Sequence, residues 1–221
     1  MSEQHRIPVI AIDGPTASGK GTVAMLVAEA LGFHYLDSGA LYRLTGLAAN
    51  IADISLDDEA RVAETAAALN IRFEAGNAYL EGQKVTEAIR TEAASQNASK
   101  VAALPQVREA LIARQRAFCR PPGLVADGRD IGSVIFPAAT LKIFLTASPE
   151  VRGERRTKQL KLKGISAILA DVVTELRIRD QRDSSRLIAP LKKLPDAYLL
   201  DTTTISANEA VAQVLTWFNH I

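Results

Sequence analysis

Apolar positions along the chain follow two rhythms. Short runs of strand length occur at Ile7–Ile12, Phe33–Leu36, Leu124–Ala126, Leu141–Leu145 and Tyr198–Leu200. Between them, apolar residues recur at helical spacing. In Lys20–Leu31, the positions Val23, Leu26, Val27 and Ala30 share one face, and Gly32 supplies a helix stop. Asp37-Ser38-Gly39 opens a helix carrying Leu41, Leu44, Ala48 and Ile51. Ser148-Pro149-Glu150 reads as an N-cap with a first-turn proline, opening a helix to about Lys163. A further helix is expected over Ser166–Asp183, and Ser206-x-x-Glu209 is a capping box for a last helix ending near Asn219. Strands alternating with helices predict an α/β domain with a parallel sheet.

The middle of the chain breaks this rhythm. A helical, Ala-rich stretch (Asp57–Leu69) leads into Ile71-Arg72-Phe73 and Ala78-Tyr79-Leu80, with Gly76-Asn77 as a turn and Gly82 and Val85 beyond. Short alternating pieces of this kind predict a small antiparallel sheet. Residues 55–103 are therefore read as an insertion within one domain spanning residues 1–221.

The chain has 221 residues, 48% of them hydrophobic, which suits one compact domain. A net charge of +1 gives no overall basic excess pointing to nucleic acid. The single Cys119, expected on a helical stretch, rules out an intramolecular disulfide and a Cys-rich metal site. No apolar run reaches the length of a membrane span, and no signal peptide is evident. A cytoplasmic protein that contacts neither membrane nor nucleic acid, and works as a monomer, is the expectation.

Candidate chemistry begins where the first strand ends. Gly14-Pro15-Thr16-Ala17-Ser18-Gly19-Lys20-Gly21-Thr22 has the spacing of a phosphate-binding loop. Gly14 and Gly19 let the backbone curl so that successive N–H groups face one anion, and the helix beginning near Lys20 adds its dipole. Lys20 is expected to reach the β- and γ-phosphates of ATP, and the Thr22 hydroxyl to ligate Mg²⁺. The bland alternative is an ordinary Gly-rich turn. Strand, spacing, Lys, Thr and following helix all weigh against it.

Three further segments concern the acceptor. Asp37-Ser38-Gly39-Ala40-Leu41-Tyr42-Arg43 and Ala126-Asp127-Gly128-Arg129-Asp130-Ile131-Gly132 each follow a strand, where ligands of open α/β sheets bind. Asp127 stands where an Mg²⁺-binding acid is expected, directly or through water, the alternative being a turn-capping Asp. Arg129 suits a phosphate and Asp130 the N–H donors of a base; a pairing between the two is the alternative. The third segment is the Arg-rich end of the 166–183 helix. Its apolar stripe Leu169, Val172, Val173, Leu176 continues as Arg179 and Asp183, with Arg182 and Arg186 nearby. Charges continuing a core-facing stripe point into a cleft, unless the helix end is simply solvated. Arg152, Arg155, Arg156, Lys158, Lys161 and Lys163 are divided between a short lid (residues 152–164) and ordinary solvated charge.

Many arginines suit a kinase that joins two polyanions. Two unit charges 4 Å apart repel by about 4 kcal/mol at an effective dielectric near 20. Guanidinium groups neutralise and align them. An acceptor phosphate with a second pKa near ~6 needs no side-chain base.

At these motifs the chain resembles bacterial cytidylate kinases, the CMP/dCMP kinases of the nucleoside monophosphate kinase superfamily. The resemblance rests on the phosphate loop together with the DSGALYR and ADGRDIG segments and Arg179-Asp180-Gln181-Arg182-Asp183. It implies a P-loop NTPase-type three-layer α/β sandwich whose NMP-binding arm carries a small antiparallel β insert. It implies phosphorylation of CMP and dCMP by ATP with Mg²⁺. It implies cytosine contacts from Ser38, Arg108, Asp130 and Arg186, phosphate contacts from Arg43 and Arg129, and pentose-side contacts from Ser99, Arg179 and Asp183. Lys20, Arg129, Arg179 and Arg182 are the expected catalytic cations. The chemistry of cytosine against an acceptor-only Asp130 makes UMP a poor acceptor. A shikimate, gluconate or dephospho-coenzyme A kinase is the rival enzyme. A GTP-dependent switch is the rival of another class, and no Asn-Lys-x-Asp loop supports it.

Overall fold

The computed structural model describes residues 7–74 and 76–221. The described residues cluster into two compact units, one formed by residues 7–36 and 118–221, the other by residues 37–74 and 76–117. Elements are numbered in chain order across both.

The first unit is built on β1 (Val9–Asp13), β2 (His34–Asp37), β6 (Leu124–Gly128), β7 (Leu141–Thr146) and β8 (Tyr198–Asp201). They form one sheet in the order β2-β6-β1-β7-β8. β1 is parallel to β6 and β7, and β7 is parallel to β8. All five residues of β1 and of β6 are buried, the pattern of strands covered on both faces. Ile10, Ile12, Val125, Ile143 and Leu145 of the sheet join Val23 and Val27 of α1 (Lys20–Leu31) and Val214 of α8 (Ala207–Asn219) in a continuous core. Gly32 ends α1 in a left-handed conformation, and Ser206 with Glu209 forms the full capping box of α8.

Helices α6 (Pro149–Leu162) and α7 (Leu169–Ser185) pack against each other. A Cβ on Gly153 would stand 2.4 Å from a Val173 methyl, so glycine sets how closely they approach. α7 starts at Leu169 and not at Ser166, because Ile168 is extended at the N-cap. Leu169 is exposed, and the buried stripe is Val172, Leu176 and then Asp183.

The second unit holds α2 (Ser38–Ile51), α3 (Glu59–Ala68), the antiparallel strands β3 (Ile71–Glu74), β4 (Asn77–Leu80) and β5 (Gln83–Lys84), and helices α4 (Glu92–Val101) and α5 (Pro105–Arg116). The strands pair in chain order, with Ile71 opposite Leu80 and Tyr79 opposite Lys84. This is the small antiparallel sheet expected from the broken rhythm. α2 packs on α4 and α3 on α5. Cys119 lies beyond the end of α5 rather than on a helix, and partial burial raises its thiol pKa. Among the described residues, no helix is long and apolar enough to cross a membrane.

Candidate active site

The first unit carries a phosphate loop between β1 and α1. Gly14 has no room for a side chain, since a Cβ there would lie 2.0 Å from the Leu145 carbonyl oxygen. Gly19, at the N-cap of α1, has φ 93°, a conformation that favours glycine. No side chain caps the first turn of α1, which leaves its amides to an anion. Lys20 Nζ donates to the Pro15 carbonyl at 3.3 Å, so the ammonium curls back over the loop it is meant to serve. Thr22 is exposed on the same turn.

The loop is braced by two arginines of α6. Arg152, 4% exposed, donates to the carbonyls of Ala147 and Thr16 and pairs with Asp180 at 2.6 Å. Arg155 donates to the Ser18 carbonyl at 3.0 Å and to the side chain and carbonyl of Thr202. The sequence left these two unresolved among six cations. Their assignment follows from the Ser148-Pro149 start, which places the first turns of α6 directly after β7, beside the loop. Lys158, Lys161 and Lys163 are exposed.

The second loop follows β6. Asp127 lies on the strand itself, buried, and its Oδ2 accepts from the Tyr35 hydroxyl at 2.7 Å. A Cβ on Gly21 would stand 3.7 Å from the same oxygen, so the carboxylate faces the first turn of α1. Arg129 does not pair with Asp130. Its Nε donates to Asp183 Oδ2 at 2.7 Å, its Nη2 to the Thr16 hydroxyl at 2.6 Å and its Nη1 to the Gly128 carbonyl. Arg186 lies on the other side of Asp183, with Nη2 3.3 Å from Oδ1. Burial alone would raise the Asp183 pKa. The charges of Arg129 and Arg186, the Arg129 hydrogen bond and the charge of Arg179 outweigh it and hold the carboxyl below its usual value. Arg179 is half-buried, whereas Arg182 is exposed. The sequence-predicted residues Arg129, Asp183 and Arg186 are therefore in contact, with the field of Arg179 reaching them.

In the second unit, Asp37 caps α2 by accepting from Ala40 N, and it pairs with Arg43 at 2.5 Å. Ser38 is buried in the first turn of α2. Ser99 is buried on α4. Arg108 is buried on α5 and donates to the Ala102 carbonyl at 3.2 Å, which ties α5 to the end of α4. Asp37 and Arg43 are thus brought together, and Arg108 makes a local contact of its own.

Sequence reasoning missed Asp13, the last residue of β1. It is 8% exposed, and its two carboxylate oxygens accept from the backbone N–H groups of Ile131 and Gly132, each at 2.8 Å. Burial pushes its pKa up to about 7 against the two amide bonds, and Asp130 adds to the rise while Arg129 opposes it. An acidic residue closing an otherwise apolar strand, directly before Gly14, was the available signal.

The oxygen donors suit a hard cation. Among the described residues no cluster of three or more His, Cys, Asp or Glu could cage a metal. Mg²⁺ needs no such cage, since it is held by one or two protein oxygens together with phosphates and water. The Thr22 hydroxyl and the Asp127 carboxylate meet that description.

A family model described as cytidylate kinase matches residues 10–220. The chain is 58% identical over 212 residues to a cytidylate kinase of Chromobacterium violaceum, covering 96% of each chain. It is 57% identical over 214 residues to a cytidylate kinase of Paraburkholderia phymatum, covering 97% of this chain and 94% of the relative. Among solved structures, an uncharacterized protein from Eubacterium ventriosum matches with a TM-score of 0.53 at 11% identity, covering 97% of this chain and 99% of that one. TT1252 from Thermus thermophilus matches with a TM-score of 0.50 at 17% identity, covering 97% of both. These two share the fold. The near-complete family match and the high identity, on a chain whose phosphate loop and arginine cluster are both formed, establish that the chain belongs to the cytidylate kinase family.

Proposed function

We propose that this protein transfers the γ-phosphoryl group of ATP to the phosphate of CMP or dCMP, giving ADP and CDP or dCDP. One observation carries the reading beyond ATP binding. The Arg129 guanidinium donates at once to Thr16 of the phosphate loop and to Asp183 of the arginine cluster. A planar cation shared by donor loop and acceptor cluster is what an in-line transfer between two polyanions requires.

The roles follow from the chemistry. The loop of residues 14–22, through its free amides, and Lys20 hold the β- and γ-phosphates. Arg129, with Arg43, takes the acceptor phosphate. Arg179 and Arg182 neutralise charge as the phosphoryl group passes. Asp130 and Arg186, with Ser38 and Arg108, read the cytosine, while Ser99 and Asp183 serve the pentose side. The acceptor phosphate, largely a dianion at neutral pH, attacks without a side-chain base. Thr22 and Asp127, the latter through water, would hold Mg²⁺, which supplies charge neutralisation on the ATP phosphates. UMP is a poor acceptor, because its base offers a carbonyl where Asp130 needs a donor. The protein works in the cytoplasm as a monomer. Residues 55–103 act as an NMP-binding insert and residues 152–164 as a short lid. Hydrogen exchange with CMP and an ATP analogue together should slow in both segments, and unchanged exchange would reject those two roles.

The deciding experiment is a phosphoryl-transfer assay with ATP against CMP, dCMP, UMP, AMP, shikimate and gluconate. Turnover is expected with CMP and dCMP above all others. Preference for a hydroxy acid would move the protein to the rival small-molecule kinases.

A further inference from the structure

The loop after β6 turns through a single wide helical turn, residues Ile131–Ile135, in which Phe136 N donates to the Ile131 carbonyl and Val134 N to that of Asp130. The first amides of such a turn have no partner within it. The usual remedy is a cap from the preceding side chain. Asp130 occupies that position, and its side chain makes no cap bond to this turn. The cap comes instead from another strand. Asp13 Oδ1 accepts from Ile131 N and Oδ2 from Gly132 N, 118 and 119 residues away in sequence.

From this we infer that Asp13 is a positioning residue for the acceptor loop: by capping Ile131 and Gly132 from β1, it sets the two residues just before them, Arg129 and Asp130. Asp13 acts through these two backbone amides and not as a general base on the substrate. It is also not what shapes the phosphate loop. The Asp13 backbone is held in register with Gly128 and Phe144, Gly14 N bonds the Gly128 carbonyl, and Arg152 and Arg155 brace the loop carbonyls. Removing the carboxylate therefore loosens the acceptor side, while the donor loop keeps its braces from Arg152 and Arg155. A displacement of order 1 Å in a positioned group can cost up to about 100-fold.

The inference rests on the reading of Arg129 and Asp130 as acceptor-binding residues, so the test includes a variant of that reading. KM for CMP and for ATP are measured for the wild type, Asp13→Asn, Asp13→Ala and Arg129→Ala, with thermal melts of each. KM for CMP should rise about 10–100-fold in Asp13→Ala. Asp13→Asn keeps one acceptor oxygen and should fall between wild type and Ala. KM for ATP should stay within about twofold in both. Should Asp13→Ala fail to fold, the Asn variant decides alone. An unchanged KM for CMP in the Asp13 variants, with Arg129→Ala impaired, overturns the inference and keeps the acceptor-loop reading. Equal rises in both KM values with a lowered melting temperature assign Asp13 to general structure and also overturn it. An unchanged KM for CMP in Arg129→Ala removes the acceptor-loop reading and the inference with it.

Discussion

The loops that follow β1 and β6 stand side by side on neighbouring strands and solve opposite problems. The first must hold phosphates, which are alike in every nucleoside triphosphate. It does so with backbone: a glycine with no room for a Cβ, a second with positive φ, and an uncapped helix start. On the proposed function, the second holds one particular nucleotide with two side chains, Arg129 and Asp130; Arg129 bonds Asp183, and Asp13 holds the amides that follow Asp130. Recognition of a common group is written locally, and recognition of a particular one is written across the fold.

The sharpest way to test that contrast is to remove the lysine proposed to serve the backbone-built loop. Lys20 donates to the Pro15 carbonyl at 3.3 Å from a partly exposed position, so Lys20→Ala should leave the fold and its melting temperature essentially intact. The charge it places on the transferring group should still matter, and kcat with CMP and ATP should fall about 10²–10³-fold. A near-normal rate of CMP-dependent ADP formation would show that loop amides suffice and that Lys20 is no anchor.

Arg129→Ala attacks the side-chain loop at its junction. It removes the donor to Thr16 and the leading opposing charge on Asp183. We expect kcat/KM for CMP to fall about 100-fold, close to 2.7 kcal/mol at 1.36 kcal/mol per decade. Arg129→Lys should recover little of it, since a single ammonium cannot serve Thr16 and Asp183 as a planar fork does. Full recovery by Lys would reduce Arg129 to a point charge.

This division also explains what could be read in advance. The alternating strands and helices, the phosphate loop and the insert sheet were legible because each depends on residues close in sequence. The continuation of the α7 stripe from Val172 and Leu176 to Asp183 was legible for the same reason, being a property of one helix. The start of α7 at Leu169 and the helical form of Glu92–Val101 were not. Leu169 is apolar yet exposed, and α4 is carried by Ala, Ser, Gln and Asn with few apolar positions. Asp13 was the least legible, because an Asp at a strand end reads as a turn residue until the amides it caps are found in the turn after β6. Arg152 and Arg155 needed the fold as well, since only the placement of α6 separates them from the exposed lysines that follow.

A smaller effect is expected from the base-reading carboxylate. Asp130→Ala should lower kcat/KM for CMP more than for UMP, narrowing their ratio by about tenfold or more. Equal losses on both substrates would assign Asp130 to the organisation of its loop and not to base selection.

A signal of another kind lies in stability, where the two buried carboxylates of this contrast behave oppositely. Asp183 is held ionised by guanidinium groups, so its native pKa lies below the unfolded value. The native state then binds fewer protons than the unfolded chain, and its stabilisation is present above about pH 4 and lost as pH falls through the native pKa. Asp13 is held by amides in a buried place, and its pKa rises from 3.8 to about 7. Between those values the native state keeps a proton that the unfolded chain has released, so stability falls as pH rises from about 4 to about 7. Asp13→Asn should erase that slope: its stability relative to wild type should climb across this interval and level off above it. Asp183→Asn should be less stable than wild type by a constant amount over the same interval, the deficit shrinking only in acid. Denaturant unfolding at half-unit steps from pH 3 to pH 8 measures both differences. A flat difference for Asp13→Asn would mean that its two amide bonds offset the cost of burial, making the two carboxylates alike after all.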